Sequence, residues 1–309
     1  MSPHVSSPRV GGKGRRRSLA GQVERFLPRL VVAPSLAVAL FFVYGYMLWT
    51  FVLSLTDSRM LPQYDFVGFA QYARLFANER WNVAATNLVV FGGLFIVSCL
   101  VIGLLLAIFL DQRIRQEGAL RTIYLYPMAL SLIVTGVVWR WLLNPGLGIQ
   151  ALVRSWGFED FTFNWLVDSD MAIYTLVIAA VWQASGFVMA LFLAGLRGID
   201  DSLFQAAALD GASLPRIYLR IVLPSLRPVV FSAVMILAHI AIKSFDLVMA
   251  LTGGGPGYAT DLPATFMYAH TFTRGQIGLG SASAIMMLCG VLAILVPYLY
   301  SELRGQRNG

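Results

Sequence analysis

The chain has 309 residues, of which 58% are hydrophobic and only 13% are charged, and its mean hydropathy is +0.70. This composition excludes most soluble classes of protein, and six stretches reach the roughly 20 apolar residues that a membrane-spanning helix needs. The net charge of +7 does not indicate a nucleic-acid partner, because 16 of the 23 basic residues fall in the N-terminal arm, in alternate loops and in the C-terminal tail. That distribution is the one that orientation by cytoplasmic positive charge requires.

Charge and hydropathy together predict an all-α integral membrane protein in three parts. Residues 1–29 form a basic arm that we expect to be disordered beside anionic lipid. Residues 30–303 form a six-helix transmembrane domain, and residues 304–309 form a short tail, with both termini in the cytoplasm. The predicted spans cover residues 30–53, 84–110, 121–143, 171–196, 226–251 and 277–300.

The third and fourth predicted spans contain residues that are unusual in apolar helices. Pro127 lies within the third span, where a proline frees a carbonyl and kinks the helix. Trp182 and Gln183 lie within the fourth span, and polar side chains at this depth usually face the interior of a helical bundle. We therefore expect a kink at Pro127 and an inward-facing Gln183.

Residues 202–224, between the fourth and fifth spans, predict two short amphipathic helices with a break between them. Ser202 and Gln205 have the spacing of a capping box, Gly211 can end the first helix in the left-handed conformation, and Pro215 suits the first turn of the second. The stretch holds no nucleophile with a base and no phosphate cradle, so it is expected to be a docking surface. Small residues let another protein approach it closely: Ala206, Ala207, Gly211 and Ala212.

The fifth predicted span carries three ionisable side chains on one helical face. His239, Lys243 and Asp246 are four and three residues apart, and an unpaired Lys or Asp at mid-membrane costs about 2.5–3.5 kcal/mol on insertion scales. Three interpretations stay open. The residues form a structural ion pair between Lys243 and Asp246, they bind substrate or line a pathway, or they relay protons through His239.

The chain contains none of the common motifs of ATP hydrolysis, metalloproteases, thiol redox sites or serine hydrolases. No G-x-x-x-x-G-K-[ST], HExxH, CxxC or G-x-S-x-G occurs. Cys99 and Cys289 both fall in apolar segments and do not indicate a disulfide framework. We expect no catalytic residue, no metal and no cofactor, so that any ATP hydrolysis belongs to a partner chain.

The loop between the fourth and fifth spans resembles the coupling-loop motif of permease subunits in bacterial ABC importers, and residues 200–224 are called the coupling loop below. By this resemblance the residues that couple to an ATPase are Gln205, Ala206, Ala207, Asp210, Gly211, Ile221, Leu223 and Pro224. One fixed position departs from the family's pattern, which has Glu where this chain has Gln205. The substitution removes a charge from any ion pair with the ATPase subunit.

The resemblance extends over residues 30–303 and is to the first permease of the pair in carbohydrate importers of the maltose-transporter type. It is carried by residues 66–76, 244–256 and 278–284, while residues 124–131 and 139–148 look most like permeases of glucose/mannose importers. The resemblance implies the type I ABC importer permease fold, with six transmembrane helices and a cytoplasmic two-helix coupling loop, in a bacterial inner membrane.

The resemblance also implies partners and a cargo. The partners are a second permease subunit, two copies of an ABC ATPase subunit, an extracytoplasmic sugar-binding protein and membrane lipid, with no nucleic acid. The cargo is a glucose- or mannose-like monosaccharide, whose hydroxyls need donors and acceptors and whose ring suits an aromatic face. The candidate pathway residues are Trp182, Gln183, His239, Lys243, Ser244 and Asp246. The alternative function is a proton-coupled secondary transporter that uses His239, Lys243 and Asp246.

Overall fold

The computed structural model describes residues 19–112 and 115–307. Residues 1–18 of the predicted basic arm lie outside the described residues, as do Arg113 in the loop after the second span and the last two residues of the tail. In the structure residues 19–29 already belong to the first helix, while the expected disorder of the arm stays a prediction. Strong helix formers such as Leu, Ala, Gln and Glu precede the apolar run there, so the helix starts early.

Within the described ranges the chain is helical throughout its regular structure. In chain order the helices are α1 (Leu19–Ser54), α2 (Ala70–Phe76), α3 (Glu79–Asp111), α4 (Glu117–Leu125), α5 (Leu132–Leu142), α6 (Ile149–Ser155), α7 (Ala172–Arg197), α8 (Asp201–Leu209), α9 (Leu214–Ile217), α10 (Leu223–Ser225), α11 (Arg227–Ile242), α12 (Asp246–Leu251), α13 (Pro263–Tyr268) and α14 (Ile277–Arg307). A 3-10 turn, Tyr126–Ala129, extends α4. Two π turns, Tyr218–Val222 and Ala269–Thr273, join α9 to α10 and extend α13.

The described residues fall into two compact units, which divide between Trp49 and Thr50. In the first unit, aromatic rings of α1 contact one another in succession. The series runs from Phe41 through Phe42 and Tyr46 to Trp49, with ring centroids 5.4, 5.9 and 6.4 Å apart. Aromatic rings of this kind are typical of the ends of membrane-spanning helices.

The second unit is built around α7, which packs closely against α3. Gly103 of α3 makes this approach possible, because a Cβ there would lie 2.7 Å from Val188 Cγ1 and 2.9 Å from the backbone nitrogen of Met189. Val188, Met189 and Phe192 are almost fully buried. In lipid, small residues at helix contacts gain van der Waals packing that the hydrophobic effect does not supply.

The third predicted span is not one helix. The segment Glu117–Ala129 meets α5 at an angle of 100°. The break falls at Leu130, which is extended, and at Ser131, whose Oγ accepts a hydrogen bond from the N–H of Ile133 at 3.3 Å. The kink expected at Pro127 therefore lies a few residues later, and it is a break rather than a bend.

The fifth predicted span is broken too, so the expected continuous helix over residues 226–251 is wrong. The helix α11 ends at Ile242 and α12 begins at Asp246. The Oγ of Ser244 donates to the carbonyl of Ile240 at 2.8 Å, while its N–H turns to the carbonyl of Ala241 at 3.2 Å. These two bonds satisfy carbonyls of the last turn of α11, which have no partner further along a helix that ends there.

Four helices within the described ranges are long and apolar enough to cross a membrane: α1, α3, α7 and α14. The segments Leu214–Ser225 and Arg227–Ile242 form a second bent pair, at 64°, and counting each bent pair as one span brings the number to six. The predicted all-α fold is confirmed, with two of the predicted spans broken. The last helix reaches Arg307, so the predicted tail is helical up to that residue.

The far end of the second unit, where α3 begins, is fastened by a buried ion pair. The Nε of Arg80 contacts Oδ2 of Asp261, and the two side chains are only 16% and 1% exposed. Thr265 Oγ1 donates to Asp261 Oδ1 at 2.7 Å. The amide of Asn87 donates to the carbonyls of Ala259 and Asp261 at 2.9 and 3.0 Å. These contacts join α3 to the segment between α12 and α13.

Candidate functional site

The first helix of the coupling loop begins two residues earlier than the capping-box prediction. Asp200, not Ser202, caps it: its Oδ1 accepts from the N–H of Ser202 at 2.8 Å, and its carbonyl accepts from the N–H of Leu203 at 3.1 Å. The hydrogen bond from Ser202 holds the pKa of the Asp200 carboxyl below its usual value. Gln205 is left exposed on the first helix, free of a capping role.

The turn between the two coupling helices adopts the conformation expected for Gly211. Its φ is +74°, in the left-handed region that a side chain opposes. The N–H of Ala212 donates to the carbonyl of Ala207 at 3.0 Å, the long-range bond of a Schellman motif. The break between the helices is therefore a closed, hydrogen-bonded turn, and the prediction of a left-handed glycine there is confirmed.

The coupling residues divide into an exposed set and a packed set. Gln205, Ala206, Asp210 and Gly211 are exposed, Ala207 is buried, and Ile221, Leu223 and Pro224 are half-buried. The predicted stripe of small residues is thus shared between two roles. Part of it faces outward, and part of it packs against the core of the second unit.

Four leucines on the coupling loop are strongly exposed, and the sequence motif did not single out Leu203, Leu209 and Leu214. Leu203, Leu209, Leu214 and Leu219 are 46%, 89%, 70% and 65% exposed. Ile217 and Val222, on the opposite side of the second helix, are buried. An apolar surface beside a buried anchor is typical of a docking site for another protein.

An open cleft of about 520 Å³ separates the coupling loop from the ends of the spans. Phe204 and Tyr218 of the coupling loop form one wall, and Arg197 and Asp111 lie on the other. Burial, together with the nearby Asp111 carboxylate, raises the pKa of the Tyr218 hydroxyl. Beside this cleft, Ala207, Ile217 and Val222 of the coupling loop are buried in the core of the second unit.

Arg197 joins three helix ends at the edge of this cleft. Its Nη2 donates to Oε1 of Glu117 at 2.6 Å, and its Nε lies 3.8 Å from Oδ1 of Asp111. The last residue of α7 is thereby tied to the start of α4 and the end of α3. Sequence reasoning missed this cluster, although the signal was present as a basic residue and two carboxylates at the ends of neighbouring predicted spans.

On α7, the structure places the two predicted pathway residues at the break of the third span. Trp182 is 39% exposed and packs edge-to-face on Trp139, with ring centroids 5.9 Å apart. Gln183 is buried, and its Nε2 donates to the carbonyl of Leu130 at 2.9 Å. Its Oε1 is buried without a hydrogen-bond partner among the residues that the structure describes. The expected inward orientation of Gln183 agrees with this burial.

The other predicted pathway residues lie around the break between α11 and α12. Ser244 is buried, whereas His239, Lys243 and Asp246 are exposed. His239 lines an apolar groove of about 320 Å³ between α11 and α14. In the described part of the chain no ion pair joins Lys243 to Asp246, and the one hydrogen bond from either residue to His239 is a backbone one, from the N–H of Lys243 to the carbonyl of His239 at 3.2 Å. The structure therefore does not form the ion pair of the first interpretation, and the pathway and proton-relay interpretations stay predictions.

The two groups of pathway residues belong to neighbouring helices, since α7 contacts both α11 and α12. Across the described ranges, no side-chain hydrogen bond joins the α7 group to the α11–α12 group. The short helix α12 packs instead on α5, where Gly136 permits close contact because a Cβ there would lie 2.6 Å from Ala250 Cβ. The two broken spans therefore pack against each other beside the candidate pathway.

Two kinds of sequence comparison agree on the family. Residues 99–304 match the family described as binding-protein-dependent transport system inner membrane component. A protein of Pyrococcus horikoshii named "Probable ABC transporter permease protein" is 37% identical over 90% of this chain and 96% of its own length. The xylose/arabinose import permease protein XacH of Haloferax volcanii is 39% identical over 84% of this chain and 83% of its own length.

A solved structure shares the fold. A chain of the bacterial alginate ABC transporter, determined in complex with alginate pentasaccharide-bound periplasmic protein, has a TM-score of 0.77 to this chain. The likeness covers 91% of this chain and 95% of that chain at 22% sequence identity. It therefore concerns the fold alone.

Proposed function

The chain belongs to the family of binding-protein-dependent transport system inner membrane components, and from this premise we propose that it carries a sugar across the membrane. It is the permease subunit of an ABC importer and not an enzyme, because ATP is hydrolysed by a separate subunit. The coupling loop carries the proposal. Its exposed leucines and the exposed part of its motif form an apolar surface that needs a protein partner.

The proposed mechanism transmits force through the coupling loop. Two ATPase subunits close on ATP and push on α8 and α9 from the cytoplasm, where both termini also lie. The hydrogen-bonded turn at Gly211 and the buried side chains of Ile217 and Val222 make the loop move as one piece. The motion reaches α7 and α11 and opens the pathway toward a second permease subunit and a sugar-binding protein at the far end.

We propose a glucose- or mannose-like monosaccharide as the cargo. The similarity to a xylose/arabinose permease supports a sugar, and the resemblance of residues 124–131 and 139–148 to glucose/mannose importers supports this class. The Trp139–Trp182 pair offers an aromatic face. The unpartnered Oε1 of Gln183 is an acceptor suited to a hydroxyl group. Lys243 and Asp246, exposed in this subunit, would then meet sugar or the second permease.

Uptake by the complete importer tests both levels of the proposal. The chain is reconstituted in vesicles with its second permease, ATPase and binding protein, and radiolabelled glucose, mannose, xylose and arabinose are offered in turn. We expect ATP-dependent uptake of glucose and mannose, each competing with the other. Uptake of xylose or arabinose alone would overturn the proposed cargo, while the proposed function as a sugar importer would stand. ATP-dependent uptake of none of a broad sugar panel would overturn the function.

A further inference from the structure

A strained residue at the far end of the molecule holds an apolar side chain outward. Met60 has a φ of +47° and, in the described part of the chain, is the one residue other than glycine with a positive φ. A bulky residue in this region is unfavourable and persists only where its surroundings impose it. Met60 is 85% exposed and the adjacent Leu61 is 72% exposed. These two residues are called the far-end knob.

The segment before α14 imposes the conformation of the far-end knob. The N–H of Met60 donates to the carbonyl of Gly275 at 2.7 Å. Gly275 itself has a φ of +64°, and a Cβ there would lie 3.0 Å from Met60 Cγ. The N–H of Gly278 donates to the carbonyl of Ser58 at 3.0 Å. The knob is thus clamped to the first turn of the last span.

Buried polar side chains fix the knob from beneath. Thr56 and Ser58 are only 1% and 2% exposed, and their hydroxyls are 2.6 Å apart. The Nε2 of Gln71 donates to the carbonyl of Thr56 and to Oδ1 of Asp57, both at 3.0 Å. A loop whose buried side is fully hydrogen-bonded and whose apolar tip is exposed is already ordered before it meets a partner. Such preorganisation lowers the entropic cost of binding.

A charged rim surrounds the apolar tip. Asp57 pairs with Arg59 at 3.3 Å and with Arg74 at 3.0 Å, and both arginines are more than half exposed. An apolar centre with a polar rim is the anatomy of a protein interface. Contact with lipid needs only exposed apolar side chains, and it gives no reason for a strained backbone clamped to another segment. The arrangement therefore favours a rigid protein partner over the bilayer.

We propose that the far-end knob, Met60 with Leu61, is an anchor on which the extracytoplasmic binding protein docks. The proposal rests on the proposed function, which places a sugar-binding protein at the end of the molecule opposite the coupling loop. Through the hydrogen bonds of this segment to Gly275 and Gly278, a contact at the knob is transmitted to the start of α14. A binding protein seated on the knob pushes on the start of α14, the last span.

A double variant that keeps the backbone tests the anchor. Glycine accepts a positive φ without strain, so Met60→Gly with Leu61→Ser removes the knob and leaves the turn. The whole importer is reconstituted in nanodiscs, and ATP hydrolysis is titrated with its purified, sugar-loaded binding protein. We expect the concentration for half-maximal stimulation to rise about tenfold, the effect of losing one interface anchor, with unchanged hydrolysis in the absence of binding protein. A midpoint within about twofold of the unaltered importer overturns the proposal.

Two controls separate the possible causes. Leu147 is 86% exposed and lies outside the knob, so Leu147→Gly is expected to leave the midpoint unchanged, and an equal loss there counts against the anchor. A photo-crosslinking amino acid at position 60 is expected to attach to the binding protein. Attachment to phospholipid or to the second permease instead overturns the proposal. If the unaltered importer is not stimulated by binding protein at all, the proposed function fails, and the anchor falls with it.

Discussion

Gly211 decides whether the coupling loop keeps its shape, because its φ of +74° is open to glycine and resisted by other residues. No heavy atom lies within 4 Å of a Cβ built on it, so a substitution there meets backbone strain and no clash. We predict that Gly211→Val abolishes most sugar uptake while the chain still inserts. Gly211→Asn is expected to retain part of the uptake, since asparagine tolerates the left-handed region.

The matched control for this prediction is Gly118, which also has no atom within 4 Å of its built Cβ but has no positive φ. Gly118→Val is expected to leave uptake near its normal level. Uptake by vesicles and the amount of inserted protein are measured together for all three variants. Normal uptake by Gly211→Val would show that the turn does not transmit force.

A buried ion pair makes Asp261 a second sensitive residue. Replacing it by Asn leaves the Arg80 guanidinium, 16% exposed, without its counter-ion. Breaking a buried pair on one side typically costs about 3–5 kcal/mol. We predict a large drop in the thermal unfolding midpoint of the purified subunit for Asp261→Asn, and a smaller one for Asp261→Asn combined with Arg80→Gln.

Asp57→Asn serves as the comparison, because Asp57 pairs with two exposed arginines and exposed pairs contribute only about 0–1 kcal/mol. Equal midpoints for the Asp57 and Asp261 variants would contradict the structural role of the buried pair.

His270 gives the far end a predicted pH dependence. Arg274 can only donate to His270 Nε2, at 3.3 Å, so the ring proton sits on Nδ1 and is donated to Gln276 Oε1 at 2.8 Å. Burial, assisted by the nearby Arg274 and Arg80 charges, lowers the pKa of His270. A lowered pKa means that the neutral ring stabilises the fold above about pH 6.5, and that this contribution is lost as the pH falls through the folded-state pKa.

The unfolding midpoint of the purified subunit should therefore fall on acidification below about pH 6.5. In His270→Gln, whose side chain stays neutral, the fall should be smaller. Superimposable pH profiles for the two proteins would show that His270 does not titrate with unfolding.

At the scale of helices, Arg197 links α7 to α3 and α4 through Asp111 and Glu117. Its side chain is 44% exposed, so we expect the cluster to contribute at most about 1 kcal/mol to stability. Its effect should appear in coupling. We predict that Arg197→Glu lowers the sugar transported per ATP hydrolysed, and that Glu117→Arg in the same chain restores much of it.

Arg121 provides the control for Arg197. It is exposed on α4 and has no ion pair within the described ranges. Arg121→Glu should leave the ratio of sugar transported to ATP hydrolysed unchanged. An equal loss in both variants would mean that the ratio depends on the charge at this end of the molecule and not on the link between the helices.

Local sequence signals predicted some element ends and missed others. The left-handed turn at Gly211 could be predicted, because it depends only on the backbone geometry of that residue. The break before Asp246 was missed, because an apolar pattern with period 3.6 continues unchanged across it. The capping prediction was wrong because Asp200 and Ser202 are both suitable N-cap residues, and the local sequence does not show which of them caps the helix.

At the scale of the whole molecule, hydropathy predicted the four long spans, and six spans in all when each bent pair counts as one, because each span must satisfy its own backbone polar groups in lipid. Which residues meet between spans could not be predicted in this way. The Arg80–Asp261 pair joins positions 181 residues apart, and the Trp139–Trp182 contact depends on the break of the third span. The sequence therefore predicted which residues belong to the candidate pathway. It did not predict that they form two separate groups, one on α7 and one at the α11–α12 break, because this depends on how the helices pack.

The central claim is that this subunit moves solute only when a separate ATPase works through the coupling loop. Its most direct test is solute accumulation in vesicles that contain either the chain alone or the chain with its second permease, ATPase and binding protein. The account predicts no accumulation by the chain alone, and ATP-dependent accumulation by the complete importer that an uncoupler of the proton gradient does not abolish. Accumulation by the chain alone, driven by a proton gradient and indifferent to ATP, would contradict it.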